Sequence, residues 1–485
     1  MQLKEIKWVP NVRRRFSWFV EYFQIAGTTQ FLFEKVLGLP IAFNYMKKDC
    51  DYNEYTNLQE DKRSQNKIKQ LIKNNSCALN VIAKKSYKKS KILLRAAEKA
   101  KNAKEKDLTA TFDQLAKELL EYQPIIFSIF SIERQLEETL LREIKYNATK
   151  AGKENMMGEY LALFTAPKEE LVMIKEEKNL LYIATKKKQG QSIKKLIQKH
   201  IESYAWIPTD DPLGKAWTEN DLLTRLNEMI EDHPNKKLAK INALSNERKQ
   251  AYTKAIKELN LTKKTIELIA ITRDFVYLRN YRVECWVKAQ YEARPLFEKI
   301  AKKFNLTFEE LMSMNYKEIF NALHNNLPPS TKLIQERSQG YSYLKIKGKT
   351  IEYFGEDAKK IPAPKNEAKN KKLLLNEFFG NMANKGKVTG IVKIVNELSD
   401  LKKVKKGDIL VASMTVPQFI PAMEKAAAFV TDEGGITCHA AIVARELDVP
   451  CIVATKIATQ TLKDGDLVEI DATNAKVRIL KRFNF

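Results

Sequence analysis

The chain has 485 residues, which points to several domains of about 100–200 residues each, and its 44% hydrophobic content excludes wholesale disorder. Its formal net charge is +24, and its 16 glycines are half the number expected of a protein with roughly 7% glycine. Five scattered cysteines without a CxxC pair, and only four histidines, exclude a disulfide framework, a zinc site and a histidine-rich metal centre.

The cysteine usage suits a reducing cytoplasm. The N-terminal stretch MQLKEIKWVPNVRRR lacks an apolar core after its charges, so it does not read as a secretory signal. The longest nearly uncharged apolar run, residues 122–132, covers about half a bilayer, so no membrane span is expected. Residues 1–340 read as mainly helical, with apolar residues at three- and four-residue spacing. Examples are Phe112, Leu115, Leu119 and Tyr122 after a capping Thr111, and Ile266, Ile269, Ile271, Phe275 and Leu278 after Thr262. Pro10, Pro40, Pro124, Pro208, Pro212 and Pro234 predict turns between helices.

A single β-hairpin is expected at 341–354, with Lys347-Gly348 at its tip and Leu344, Ile346, Ile351 and Tyr353 in alternation. It contains Gly348-Lys349-Thr350, but a phosphate-binding P-loop needs another glycine five residues earlier, where Tyr343 stands, and a helix afterwards. That excludes the motif. Residues 355–373 carry Pro362 and Pro364 among lysines and read as a linker, with a reach on the order of 55 Å when stretched. Such a tether would let a C-terminal domain move.

Beyond it the periodicity changes. Strand-like runs at 388–395, 409–412, 427–431, 451–455, 467–470 and 477–480, with helices at 417–425 and 438–447, predict a compact α/β domain. The expected architecture is multidomain: a mainly α body over 1–354, the linker over 355–373, and a compact α/β (β/β/α) domain over 374–485.

The charge belongs to the front of the chain: residues 1–384 hold +21 of the +24. A basic surface attracts phosphates, nucleic acid included. Yet the cations are 67 lysines against 17 arginines, and runs such as 84–91 and 186–188 read as solvated helix faces. Nucleic acid is therefore set aside as the lesser reading.

The chemistry-bearing stretch is TDEGGITCHAAIVARE, residues 431–446. It reads as a strand, a sharp turn at Gly434-Gly435, and a helix capped by Thr437. His439 falls in the first helical turn, where free N–H groups and the helix dipole favour an anion. An imidazole there can accept a phosphoryl group that those N–H groups would cradle. A diglycine turn into a capped helix is also ordinary architecture, and Cys438 reads as a small buried residue rather than a nucleophile.

The segment resembles the phosphohistidine signature of the phosphoenolpyruvate-utilising enzymes. It is similar to the swivelling (mobile) domain of phosphoenolpyruvate synthase, pyruvate-phosphate dikinase and rifampin phosphotransferase. The likeness runs through GNMANKGKVTGIVKIV, KKGDILVASMTVPQFIPAMEKAAAFVTDEGGITCHAAIVARELDVPCIVAT and LKDGDLVEID. It implies that His439 carries the phosphoryl group and that Gly434 and Gly435 shape its turn. Thr437 takes the position that some dikinases phosphorylate, and Ile436 stands where some relatives have arginine or methionine.

The resemblance further implies a two-step reaction, in which ATP held with Mg2+ by an ATP-grasp domain phosphorylates the histidine and the domain then swivels to an acceptor. No ATP-grasp character is legible in the glycine-poor body, and no barrel follows the C-terminal domain. The expected function is a phosphotransferase component with its ATP-grasp partner in a separate chain, a split similar to that of phenylphosphate synthase, and with no metal ligands of its own. Residues 271–323 more weakly resemble the helical acceptor-binding domain of rifampin phosphotransferase. On that helix Arg279, Arg282 and Trp286 share a face, to meet an unknown small-molecule acceptor or to form an exposed Arg–Trp packing pair. The alternative reading is a non-catalytic binding protein that keeps the swivelling fold and engages nucleic acid or an acidic partner through its basic body.

Overall fold

The structure is a computed structural model that describes residues 8–13, 16–41, 45–48, 53–74, 76–231, 233–327, 330–346, 349–360, 376–396 and 398–483. The chain divides into two compact units. The first takes residues 1–135, 209–215 and 281–367, and the second 136–208, 216–280 and 368–485. Two of the boundaries within the helical body fall inside long helices, Leu108–Lys150 and Lys263–Glu292.

The first unit is helical, but its β-structure exceeds the single hairpin expected. Strands β1 (Trp8–Arg13), β2 (Tyr45–Lys48), β3 (Asn53–Asn57), β4 (Tyr341–Ile346) and β5 (Lys349–Phe354) form one antiparallel sheet in the order β1-β3-β2-β4-β5. The hairpin lies where the alternation put it, from Tyr341 paired with Phe354 to Ile346 paired with Lys349. The other strands escape sequence reading because β2 and β3 are short and polar, and β1 contains Pro10 beside a register shift. Their strand character comes from pairing, such as Met46 with Leu344, rather than from local propensity. Lys349 and Thr350 open a strand, as the rejection of the P-loop requires.

Two helix boundaries also differ from expectation. Pro124 marks no turn: it lies inside the helix Leu108–Lys150, and Thr111 lies inside that helix too rather than capping it. An interior proline costs about 3 kcal/mol because it removes one backbone bond and crowds the preceding turn. Here the flanking Tyr122, Ile125 and Ile129 are fully buried, and that burial offsets the loss. Thr262 does cap, accepting from the Thr265 N–H at 3.2 Å. Pro234 opens the helix Pro234–Glu258, where its missing N–H is harmless. The lysine run is a solvated face only in part: Lys84, Lys88 and Lys91 are exposed on the helix Ser76–Lys101, but Lys89 is paired with Glu118 at 2.6 Å and Glu121 at 2.5 Å, and Ser86 is buried.

In the second unit, helices Met157–Phe164, Val172–Lys188, Glu219–Glu231 and Pro234–Glu258 accompany an eight-stranded sheet. Its strands are β6 (Glu377–Phe379), β7 (Asn381–Asn384), β8 (Lys387–Ile394), β9 (Ile409–Ala412), β10 (Ala428–Thr431), β11 (Cys451–Val453), β12 (Leu467–Asp471) and β13 (Lys476–Lys481). They run in the order β6-β13-β12-β8-β9-β10-β11-β7. Strands β8 to β11 pair in parallel, and the flanking pairs are antiparallel. Every residue of β9, β10 and β11 is buried, as parallel strands covered on both faces require. Val392, Ile409, Val411, Val430, Ile452, Val468 and Ile470 form the centre of the core.

Between the hairpin and this sheet, Gly355–Lys359 form a short helix at the start of the expected linker. Residues 361–375, which carry the expected tether, lie outside the described residues.

Candidate active site around His439

Strand β10 ends at Thr431, and the chain turns through residues 432–438 into the helix His439–Leu447. Two features force the turn. Gly434 has φ +105°, and a Cβ there would sit 2.8 Å from Cys438 Sγ, so only glycine fits. Asp432 anchors the other side by accepting from the Thr455 hydroxyl at 3.0 Å and from the Thr459 hydroxyl. The helix is pinned beneath by Ala440, Ala441, Ile442, Val443 and Ala444, all buried.

The cap is not the one expected. Cys438 is the N-cap, its Sγ accepting from the Ala441 N–H at 3.5 Å, and Thr437 stands one residue outside the helix. The Thr437 hydroxyl instead donates to Glu137 Oε2 at 2.5 Å, and the Ile436 N–H donates to Glu137 Oε1 at 3.1 Å. The two caps differ because tertiary contact with Glu137 claims the threonine hydroxyl that local sequence would assign to the helix. Burial raises the Cys438 thiol above its ordinary range, while the nearby charges of Arg279 and Arg445 act to lower it. A thiol so held is a poor nucleophile at neutral pH.

His439 is therefore the first helical residue, as the spacing indicated. Its Nδ1 lies 2.8 Å from Thr415 Oγ1, and its Nε2 is a buried atom. Thr415 follows β9 and is buried itself, so the parallel pairing of β9 with β10 brings the two residues together. With Nδ1 carrying the proton, Thr415 accepts it and Nε2 keeps the lone pair.

Arg445, buried one helical face further on, donates to the Ile436 carbonyl at 2.7 Å and to Thr165 Oγ1 at 3.4 Å. It thus ties the turn to the helical part of the same unit. Other parts of the same domain are tied to those helices by Arg248 with Glu446 (2.7 Å), Arg225 with Glu424 (3.0 Å), Lys425 with Glu228 (2.9 Å) and Lys385 with Glu159 (3.1 Å).

Of the residues singled out from sequence, Gly434, Gly435, Thr437 and His439 share one turn, and Arg279 bears on it electrostatically through Cys438. Arg282 lies in the other unit. Its Nε donates to the Ile126 carbonyl at 2.8 Å, and both it and Trp286 are buried rather than exposed. Trp286 stacks on Tyr122, so the exposed Arg–Trp pair is replaced by a buried packing arrangement. Sequence reasoning missed Thr415 and Glu137. Thr415 had a faint signal, a polar residue just beyond a buried strand, whereas nothing local marks Glu137 on its long helix.

Among the described residues, no group of three His, Cys, Asp or Glu side chains is arranged to hold a metal ion. Among them, too, no helix is long and apolar enough to cross a membrane.

The turn, the histidine and strands β9 to β12 fall within a match to a known family. Residues 404–475 match the family model of the PEP-utilising enzyme mobile domain, and this part of the chain is such a domain. A probable phosphoenolpyruvate synthase of Archaeoglobus fulgidus is 45% identical over 126 residues, 26% of this chain and 16% of that protein. The phosphoenolpyruvate synthase of Pyrococcus furiosus is 40% identical over 154 residues, 32% of this chain and 18% of that protein. An uncharacterized phosphotransferase of Bacillus subtilis is 39% identical over 107 residues, 22% of this chain and 13% of that protein. The chain thus spans less than a fifth of the length of these relatives, and the likeness is confined to about a third of the chain or less.

Proposed function

We propose that this chain is a phosphotransferase component in which His439 carries a phosphoryl group from ATP to an acceptor. The observation that supports it most directly is the pairing of His439 Nδ1 with Thr415 Oγ1 in a turn matched to the mobile domain. The hydrogen bond orients the ring, and with Nδ1 donating to Thr415 the Nε2 lone pair is left for phosphorus. In the first half-reaction Nε2 attacks the transferred phosphorus, the bond from phosphorus to the nucleotide oxygen breaks, and the nucleotide leaves. In the second, an acceptor oxygen attacks the same phosphorus and the P–N bond breaks, returning the lone pair to Nε2. Positioning and charge stabilisation carry such transfers, so the residues that hold the ring and turn matter most.

The nucleotide site belongs, in this reading, to an ATP-grasp protein in a separate chain, which supplies ATP and Mg2+. The helical body binds the acceptor, and Arg279 is its candidate cation near the reacting turn. Arg282 is a weaker candidate, since its guanidinium is engaged with a backbone carbonyl.

The test combines the chain with a candidate ATP-grasp protein and with ATP labelled separately at the β and γ phosphates. Acid-labile, base-stable label on the wild type, absent from His439→Ala, is the expected result. Label that persists in His439→Ala overturns the proposal. Steeply salt-dependent RNA binding without any phosphorylation would favour the binding-protein alternative instead.

A further inference from the structure

Glu137 belongs to no motif read from the sequence, yet its carboxylate reaches the turn before His439 from 300 residues away. It accepts from the Ile436 N–H at 3.1 Å and from the Thr437 hydroxyl at 2.5 Å. Gly435 lets it in: a Cβ on Gly435 would lie 2.7 Å from Glu137 Oε1 and 3.0 Å from Oε2. Backbone N–H and hydroxyl donors converging on one oxyanion form the kind of cradle that also suits phosphate. The charges of Arg279, Arg445 and Glu137 all bear on Cys438 at the centre of this turn.

We propose that Glu137 is a positioning residue that latches the turn while His439 is unphosphorylated and is displaced when His439 is phosphorylated. The inference rests on the reading of His439 as carrier. A phosphoryl group on His439, two residues along the chain from Thr437, brings about two negative charges to the turn that the Glu137 carboxylate holds. Like charges on one turn repel, and phosphoryl oxygens seek the same kind of donors. Arg445 also holds the turn, through the Ile436 carbonyl and Thr165, and Arg225–Glu424 is a buried tie of the same domain, while Lys385–Glu159 and Lys425–Glu228 are partly exposed ion pairs elsewhere on it. Loss of the Glu137 latch falls on the Ile436 N–H and the Thr437 hydroxyl of the turn itself. The latch makes phosphorylation state readable as a change in how firmly the turn is held.

Phosphoramidate tests this without any protein partner. His439 Nε2 attacks its phosphorus, the P–N bond of the reagent breaks, and ammonia leaves with the imidazole proton as ammonium. On the full chain, the rate of His439 phosphorylation and the amide hydrogen exchange of residues 434–445 are measured for wild type, Glu137→Gln and Gly435→Ala. Gly435 is outside the left-handed region, so alanine fits its backbone and expels only the carboxylate.

Both variants are expected to react at least threefold faster and to exchange faster before phosphorylation. Phosphorylated wild type is expected to exchange as the unphosphorylated variants do. Unchanged exchange in both variants, or phosphorylated wild type that exchanges like its unphosphorylated form, overturns the latch. Failure of ATP labelling with every cognate partner would instead remove the carrier reading, and it leaves the exchange comparison of the variants standing.

Discussion

Arg225 and Glu424 lie 199 residues apart in sequence and 3.0 Å apart in space, joining the helix Glu219–Glu231 to the segment before β10. The same guanidinium already forms two hydrogen bonds to Glu176, at 2.8 Å and 3.1 Å. One cation thus serves two carboxylates, with Glu177, Lys237 and His200 around them. Glu176 is lowered despite its burial, chiefly by Arg225 and then by His200. Glu424 takes the weaker share, and burial pushes it up to about 7.

That shift sets a pH dependence. A carboxyl whose pKa is raised in the folded protein contributes stability below its unfolded value, and loses it as pH climbs through the folded value. For Glu424 the window runs from the ordinary 4.5 to about 7, and the loss amounts to about 3 kcal/mol. Urea unfolding of wild type and Glu424→Gln at pH 5 and pH 8 checks it. The variant should gain on the wild type at the higher pH; an equal difference at both would contradict the raised value.

Thr415→Val removes the hydroxyl partner of His439 Nδ1 and leaves that half-buried ring nitrogen to find another. The cost of such a loss is about 1–3 kcal/mol, so phosphorylation of His439 should slow by about tenfold or more. Thr415→Ser should restore most of the rate. A purely structural role for Thr415 would instead lower the melting temperature without this rescue pattern.

Gly434→Ala forces a side chain into a left-handed backbone with a contact 2.8 Å from Cys438 Sγ. Strain of this kind costs about 1–3 kcal/mol, and the thermal transition should fall accordingly. Calorimetry beside Gly407→Ala provides the contrast, because Gly407 also has positive φ, +91°, but no atom within 4 Å of its missing Cβ. Equal losses in the two variants would mean that backbone strain alone, and not the packing of the turn, decides the cost.

Cys438→Ser exchanges a sulfur cap for an oxygen cap on the same Ala441 N–H. Label on His439 should persist in this variant at close to the wild-type level. Loss of label would return the thiol to consideration as the acceptor.

Much of the second sheet was legible in advance, because β9, β10 and β11 are unbroken apolar runs set between turns. The diglycine turn and His439 were legible for a related reason: glycine at positive φ and a helix start are local requirements that leave local marks. The strands β2 and β3 were not, since short polar segments pair only when a neighbour such as β4 is already placed. Pro124 misled because a proline reads as a breaker until the burial around it is known.

By itself the sequence determined where His439 sits at the start of its helix, which glycines turn the chain before it, and which family its surrounding domain resembles. Those are properties of contiguous residues and of backbone angles. Only the tertiary structure decided that Thr415 holds the ring, that Cys438 rather than Thr437 caps the helix, and that Glu137 seats on Gly435. Each of those depends on partners 24 to 300 residues distant or on a hydroxyl with two possible uses. Hydrogen bonds of that range leave no periodicity for a sequence to display, because nothing along the chain repeats with them.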